Sequence, residues 1–165
     1  MKLSLFILLL LLCTSVQAKI LSSSDTHFVL RHEATSTLST TQIWQRLIKP
    51  ASWWHPEHTY SGDSNNLSLD ANAGGLWLES WESGSVKHGE VLYIKNGKML
   101  RLDAPFGPLQ ELGAHTIWTI TIIPNGDGSK VQFDEVSSGP PSADLDEVAK
   151  AVDYVKGEAI KRLTR

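Results

Sequence analysis

The chain has 165 residues, of which 18 are acidic and 15 basic, and its net charge is −3. This length is typical of a single domain with enough chain to bury a core. Without a basic cluster, the acidic balance argues against a nucleic-acid or anionic-membrane surface, so no nucleic-acid partner is predicted.

The first residues have the pattern of an export signal. Lys2 supplies a positive start, an apolar run covers Leu5 to Leu12, and "SVQA" ends in small residues that a signal peptidase accepts. We therefore predict a signal peptide over residues 1–18, cleavage after Ala18, and a periplasmic or secreted product. The apolar run is shorter than the roughly 20 residues of a membrane-spanning helix, so no integral membrane span is predicted.

The only cysteine, Cys13, would leave with this signal. The mature chain, residues 19–165, would then be a single domain without disulfides, thiolate catalysis or cysteine-bound zinc.

The mature chain opens with a strand pattern in "THFVLRHEATST". Phe28, Leu30 and Ala34 alternate with mostly polar residues, which is the period of two of a half-buried strand. His32 shares their parity and is therefore predicted to point toward the interior.

A helix is predicted next, over "STTQIWQRLIK". Ser39 and Gln42 have the spacing of a capping box, and the helix is expected to end before Pro50. Its apolar stripe consists of Ile43, Trp44, Leu47 and Ile48.

The stretch "WWHPEHTYSGD" concentrates aromatic and titratable residues. His55, His58 or Asp63 could serve as acid or base, since histidine titrates near neutral pH and suits proton transfer. The two histidines are a weak metal pair, because zinc needs three or four converging ligands and Pro56 breaks any helix that would align the two rings. No metal is predicted. No nucleophile motif or glycine-rich phosphate loop accompanies them, and no cofactor is predicted.

Two other interpretations of this stretch stay open. It could be a loop that Trp53 and Trp54 hold against the core, with ordinary turn chemistry in "SGD". Alternatively, Trp53, Trp54 and Tyr60 could form the aromatic rim of a cavity, since such side chains combine an apolar body with a polar tip.

The middle of the chain predicts short strands in "NLSLD", "GLWLESW", "VKHGEVLYI" and "KMLRLDA", joined by the hairpin loops "ESGS" and "KNGK". Hairpin pairing places Glu79 opposite His88. It puts Leu76, Leu78, Val91, Tyr93, Leu100 and Leu102 on one face, and Trp77, Glu79, Trp81, His88, Glu90, Arg101 and Asp103 on the other. Because the charges share the second face, that face is predicted to be solvated, and the Glu79–His88 pair is interpreted as an ordinary ion pair.

The hairpin "HTIWTITII"–"NGDG"–"KVQFDEV" predicts a register in which Trp118 faces Glu135 and Ile120 faces Phe133. Glu135 then lies on an apolar face. Its burial would cost several kcal/mol unless it is protonated, paired or hydrated.

A long amphipathic helix is predicted to end the chain, opening near Asp144. Its stripe comprises Leu145, Val148, Ala149, Val152, Val155, Ala159, Ile160 and Leu163. The order strand, helix, antiparallel strands and terminal helix predicts an α+β fold in which this helix covers the sheet.

The strand–helix opening, "WWHPEHTYSGD", "AGGLWLE", "FGPLQELG", the "NGDG" hairpin and the terminal helix together resemble the START-like, or SRPBCC, superfamily, in particular bacterial members described as polyketide cyclase/dehydrase-like or Aha-type activator-like. The resemblance covers the chain from about His27 onward. It implies a helix-grip fold, in which a curved antiparallel sheet wraps the terminal helix around an internal cavity for a lipid, sterol, polyketide or other apolar molecule. It implies no shared catalytic residues.

Three functional hypotheses follow. The first is a domain that binds a small apolar or amphipathic ligand, with Tyr93, Trp118, Ile120 and Phe133 around it and Trp53, Trp54 and Tyr60 at the entrance. The second is a cyclase, dehydratase or hydrolase that uses Glu135 with His32, His55 or His58. The third is a protein-interaction domain that exposes Trp77 and Trp81. Neither the ligand's identity nor the oligomeric state follows from the sequence.

Overall fold

The computed structural model describes residues 17–165. The predicted signal peptide therefore lies outside the described residues, except for Gln17 and Ala18. Within residues 17–165 there are eight strands: β1 (Gln17–Ser24), β2 (His27–Ser36), β3 (Leu67–Leu69), β4 (Leu76–Trp81), β5 (Gly84–Lys95), β6 (Met99–Asp103), β7 (His115–Asn125) and β8 (Gly128–Ser138). The α-helices are α1 (Thr40–Leu47), α2 (Pro108–Glu111) and α3 (Leu145–Leu163).

All eight strands form one curved antiparallel sheet in the order β1-β2-β8-β7-β6-β5-β4-β3. The sheet and the terminal helix α3 make an α+β fold of the helix-grip type, as the sequence predicts. The sequence gives no signal for β1, because its "SSS" segment lacks apolar alternation. Among the described residues, no helix is both long and apolar enough to cross a membrane.

Two local predictions are confirmed. Ser39 and Gln42 form the capping box, and α1 ends before Pro50. The pairs Trp118–Glu135 and Ile120–Phe133 lie opposite each other in β7 and β8, as the hairpin register predicts. A slip of one residue would bury the polar face of this hairpin, so burial specifies the register.

The predicted faces of the middle strands are partly wrong. Glu79 pairs with Val86 rather than His88, and β5 carries irregularities at His88 and at Leu92, where one extra residue stands opposite the neighbouring strand. Each bulge changes which side chains point inward. Trp77, Glu79 and His88 are consequently buried, while Tyr93 is 45% exposed on the outer surface.

Candidate functional site

A cavity of about 390 Å³ lies between the sheet and α3. Strands β5 and β8 contribute to its floor, α3 forms one wall, and two loops surround its mouth. Its lining residues are His58, Thr59, Tyr60, His88, Phe106, Gly107, Pro108, Leu109, Glu111, Glu135, Val148, Ala151, Val152, Val155 and Lys156. The walls are mostly apolar, and the polar groups lie at the floor and the mouth.

The first mouth segment is the end of the "WWHPEHTYSGD" stretch. Tyr60 is half exposed, and its hydroxyl donates a hydrogen bond to the carbonyl of Gly107 at 3.3 Å, which joins the two mouth loops. His58 also lines the cavity. Burial, together with the nearby His55, lowers the pKa of His58. Its imidazole is therefore biased toward the neutral form.

The second mouth segment runs from Phe106 to Glu111. Gly107 has a φ of +57°, a conformation that suits glycine, and α2 begins directly after it at Pro108. The segment "FGPLQELG", one of the motifs that carry the sequence resemblance, thus contains a one-turn helix. Leu109, the second residue of this helix, is buried.

Trp53 and Trp54 are not at the entrance. They are 1% and 2% exposed, and their indole N–H groups donate to the carbonyls of Leu47 and His58. Both rings belong to an edge-to-face aromatic cluster with Trp77. The placement matches the interpretation of a loop held against the core, and the rim interpretation is wrong for these two tryptophans.

The other predicted ligand contacts divide between core and surface. Trp118, Ile120 and Phe133 are buried in the core, where the Trp118 ring lies under the cavity residue Lys156, and Tyr93 lies on the outer surface. Trp77 is completely buried, which removes the exposed Trp77–Trp81 face that the interaction hypothesis requires.

The predicted titratable residues converge only in part. Glu135 and His58 line the same cavity, but His32 and His55 do not. The Nε2 atom of His32 lies 3.0 Å from the carbonyl oxygen of Asp153 and 2.9 Å from its carboxylate, so this buried ring holds β2 to α3. His55 accepts a hydrogen bond from the backbone of Glu57 and begins a short turn. Within residues 17–165, no group of three His, Cys, Asp or Glu side chains is positioned around one point.

Glu79 and His88 form a buried pair beside the cavity, which corrects the solvated placement that the sequence predicts. The Nε2 atom of His88 is 2.8 Å from Glu79 Oε2, and the His88 ring stacks on Phe106. Burial lowers the pKa of His88, and Glu79 opposes that effect only in part. In the described part of the chain, His88 Nδ1 has no hydrogen-bond partner.

Sequence reasoning missed Lys156, whose ammonium group pairs with Glu135 at 2.8 Å. Lys156 is 2% exposed and lies on the apolar stripe of α3. Lys156 follows Val152 by four residues and Ala149 by seven, so helical spacing alone would have placed it on the same face as these apolar residues. The pair explains how Glu135 is tolerated on an apolar face, because a buried carboxylate needs a counter-charge.

Comparison with known proteins shows the fold. No family model matches the chain, and no curated protein matches it. A structural-genomics protein from Rhodobacter sphaeroides superposes with a TM-score of 0.59 at 18% identity, covering 90% of this chain and 96% of that one. Protein Ms6760 from Mycobacterium smegmatis gives 0.58 at 15% identity, covering 91% and 96%. CalU16 from Micromonospora echinospora gives 0.57 at 12% identity, covering 92% and 82%. At these identities, the likeness establishes a shared architecture.

Proposed function

We propose that this protein is an exported domain that binds a small apolar or amphipathic molecule between its sheet and α3. The observation that carries the proposal is the cavity of about 390 Å³ with mostly apolar walls. A guest that buries on the order of 200 Å² of apolar surface would gain about 5 kcal/mol before the cost of immobilisation. Membership of the START-like superfamily is part of the proposal, and the sequence resemblance supports it because that architecture encloses such cavities.

Filling the cavity tests this proposal. Val155 is half-buried and lines the cavity, whereas Lys150 lies on the exposed side of the same helix. We expect Val155→Trp to weaken binding of the neutral fluorescent probe N-phenyl-1-naphthylamine by more than about tenfold, or about 1.4 kcal/mol. Lys150→Trp, the matched control, should bind like the wild type. Equal probe affinity in both variants would contradict the proposal.

Export is a separate part of the proposal and rests on the sequence of residues 1–18. Processing after Ala18 would leave β1 to begin at Lys19, which pairs with Arg31. Cell fractionation with N-terminal sequencing should find a chain starting at Lys19 outside the cytoplasm. A cytoplasmic chain that retains its N-terminus would contradict export and leave the binding proposal intact.

The second candidate is an enzyme of cyclase, dehydratase or hydrolase type. It is favoured by the presence of Glu135 and His58 in the lining of one cavity, together with His88. A carboxylate and a neutral imidazole can act as acid and base when both reach the bound molecule. Turnover of a cavity-bound substrate that is lost in both Glu135→Gln and His58→Gln would support this candidate over simple binding.

A further inference from the structure

Lys156 lines the cavity and projects from the apolar stripe of α3. Its Nζ atom is 3.2 Å from the centroid of the Trp118 ring and 4.9 Å from that of Phe106. The side chain is almost fully buried, yet it is part of the cavity lining. A guest that enters between sheet and helix therefore meets an amine in the cavity wall.

The pair of Lys156 with Glu135 is close but incompletely satisfied. Nζ lies 2.8 Å from Oε2, and this is the one close polar contact of the pair among the described residues. Across residues 17–165, no further group bonds to the carboxylate oxygens of Glu135 or to Nζ of Lys156. Buried polar atoms are nearly always hydrogen-bonded, so the unused Oε1 of Glu135 and the remaining N–H donors of Lys156 in a cavity wall point to a missing polar partner.

Burial disfavours the charged form of the Lys156 side chain. Burial lowers the pKa of Lys156, and the charge of Glu135 opposes this effect without cancelling it. Transfer of one proton from Nζ to the adjacent carboxylate converts the ion pair into an amine and a carboxylic acid. A desolvated lysine in this state is a nucleophile toward carbonyl carbon.

We propose that Lys156 forms an imine with the aldehyde or ketone group of a cavity-bound molecule, with Glu135 as proton donor and acceptor. This inference rests on the proposed binding function and names the class of molecule that would react there. A carbonyl compound fits better than an acid, because a ligand carboxylate placed at Nζ would also face Glu135. A neutral carbonyl meets no such repulsion and can use the proton that the pair shares.

The reaction balances with the two side chains alone. The Nζ lone pair attacks the carbonyl carbon, and the carbonyl oxygen takes the proton of the Glu135 carboxylic acid. The nitrogen returns one proton to the carboxylate, which gives a neutral carbinolamine and a carboxylic acid. Glu135 then protonates the hydroxyl, water leaves as the nitrogen lone pair forms the C=N bond, and the resulting iminium ion stands beside the Glu135 carboxylate.

Reductive trapping tests the inference. The purified chain is incubated at pH 7 with octanal and sodium cyanoborohydride, which delivers hydride to the iminium carbon and leaves a stable secondary amine. We expect one octyl group per chain, mapped by peptide mass spectrometry to Lys156. Lys156→Met should remove this label, whereas Lys161→Met, a partly exposed lysine on the same helix, should retain it. Glu135→Gln should slow labelling by about a hundredfold, because positioned proton transfer contributes roughly that much.

Mapping on the wild-type chain decides the inference even if a variant misfolds. Label confined to surface amines, with Lys156 unmodified, overturns it. Displacement of N-phenyl-1-naphthylamine by 1-octanol, measured in parallel, separates the two proposals. Displacement without an adduct at Lys156 overturns imine formation and leaves the binding function standing, whereas absence of both removes support from each.

Discussion

Two buried carboxylates near the same cavity have opposite surroundings. Glu79 accepts hydrogen bonds from the backbone N–H groups of Tyr60 and Ser61, at 3.1 and 2.5 Å, and pairs with His88. Glu135 has one close partner, Lys156 Nζ at 2.8 Å, and no other hydrogen-bonding group among the described residues. Burial alone therefore does not distinguish a structural carboxylate from one available to a ligand, and the difference lies in how many of its lone pairs are already occupied.

The carboxylate of Glu79 holds the loop around Tyr60 and Ser61 in place. Burial raises the pKa of Glu79, but the hydrogen bonds from Ser61, His88 and Tyr60 outweigh this and hold its pKa below the ordinary range. The ionised form thus fastens the "WWHPEHTYSGD" stretch to β4. The Lys156–Glu135 pair joins α3 to β8 through a single contact, whereas Glu79 bonds to three partners.

The largest loss of stability is expected when Glu79 is replaced. Glu79→Ala leaves two backbone N–H groups and the buried His88 without a partner, so we expect the free energy of unfolding to fall by about 3–5 kcal/mol. Urea denaturation measures this loss. Glu79→Gln keeps one acceptor and should lose distinctly less. A loss below about 1 kcal/mol for Glu79→Ala would contradict the structural role.

The second prediction concerns the buried pair of Lys156 and Glu135. Replacing both partners, in Glu135→Leu with Lys156→Met, should leave the free energy of unfolding unchanged or raise it by about 1–4 kcal/mol, since apolar groups can replace a buried ion pair. Either single change should destabilise the fold, because it leaves one buried charge uncompensated. Urea unfolding of the three variants measures the coupling. A double variant less stable than both single variants would show that the pair is structural after all.

A smaller change in the free energy of unfolding is expected when the pH is lowered. Burial lowers the pKa values of both His32 and His88, against the opposing charges of Asp153 and Glu79 respectively. The unfolded chain then binds protons more readily than the folded one, so stability is fully present above about pH 6.5 and is lost as the pH falls below it. The slope is at most about 1.4 kcal/mol per pH unit for each histidine.

Unfolding free energies measured between pH 7.5 and pH 5 test this effect. Replacement of both histidines by asparagine should flatten the profile over that range. Stability that rises on acidification, or an equal slope in the double variant, would contradict the assigned direction of the shifts.

The sequence predicted those elements in which a regular residue spacing is reinforced by the need to bury one face. The capping box at Ser39 and the β7–β8 register follow from local spacing, and both are present. The faces of β4 and β5 could not be assigned by counting, because a bulge at His88 interrupts the period of two. The buried Glu79–His88 pair was therefore placed in solvent.

The candidate site was only partly predictable for a related reason. Glu135 was identified on an apolar face by register, but its partner Lys156 was left out of the α3 stripe because lysine is ordinarily exposed. The tryptophans of "WWHPEHTYSGD" suggested a rim, yet their indoles are buried and bonded to backbone carbonyls. Their residue type suggested contact with a ligand, but both side chains pack into the core.

The central claim is that space remains between the sheet and α3 and that a guest occupies it. The most direct measurement is NMR with methyl-labelled valine and leucine, recording intermolecular nuclear Overhauser effects from bound N-phenyl-1-naphthylamine. The account predicts contacts to the methyl groups of Val152, Val155 and Leu109, which line the cavity. Contacts confined to exposed methyl groups such as those of Leu92 or Val136 would contradict it.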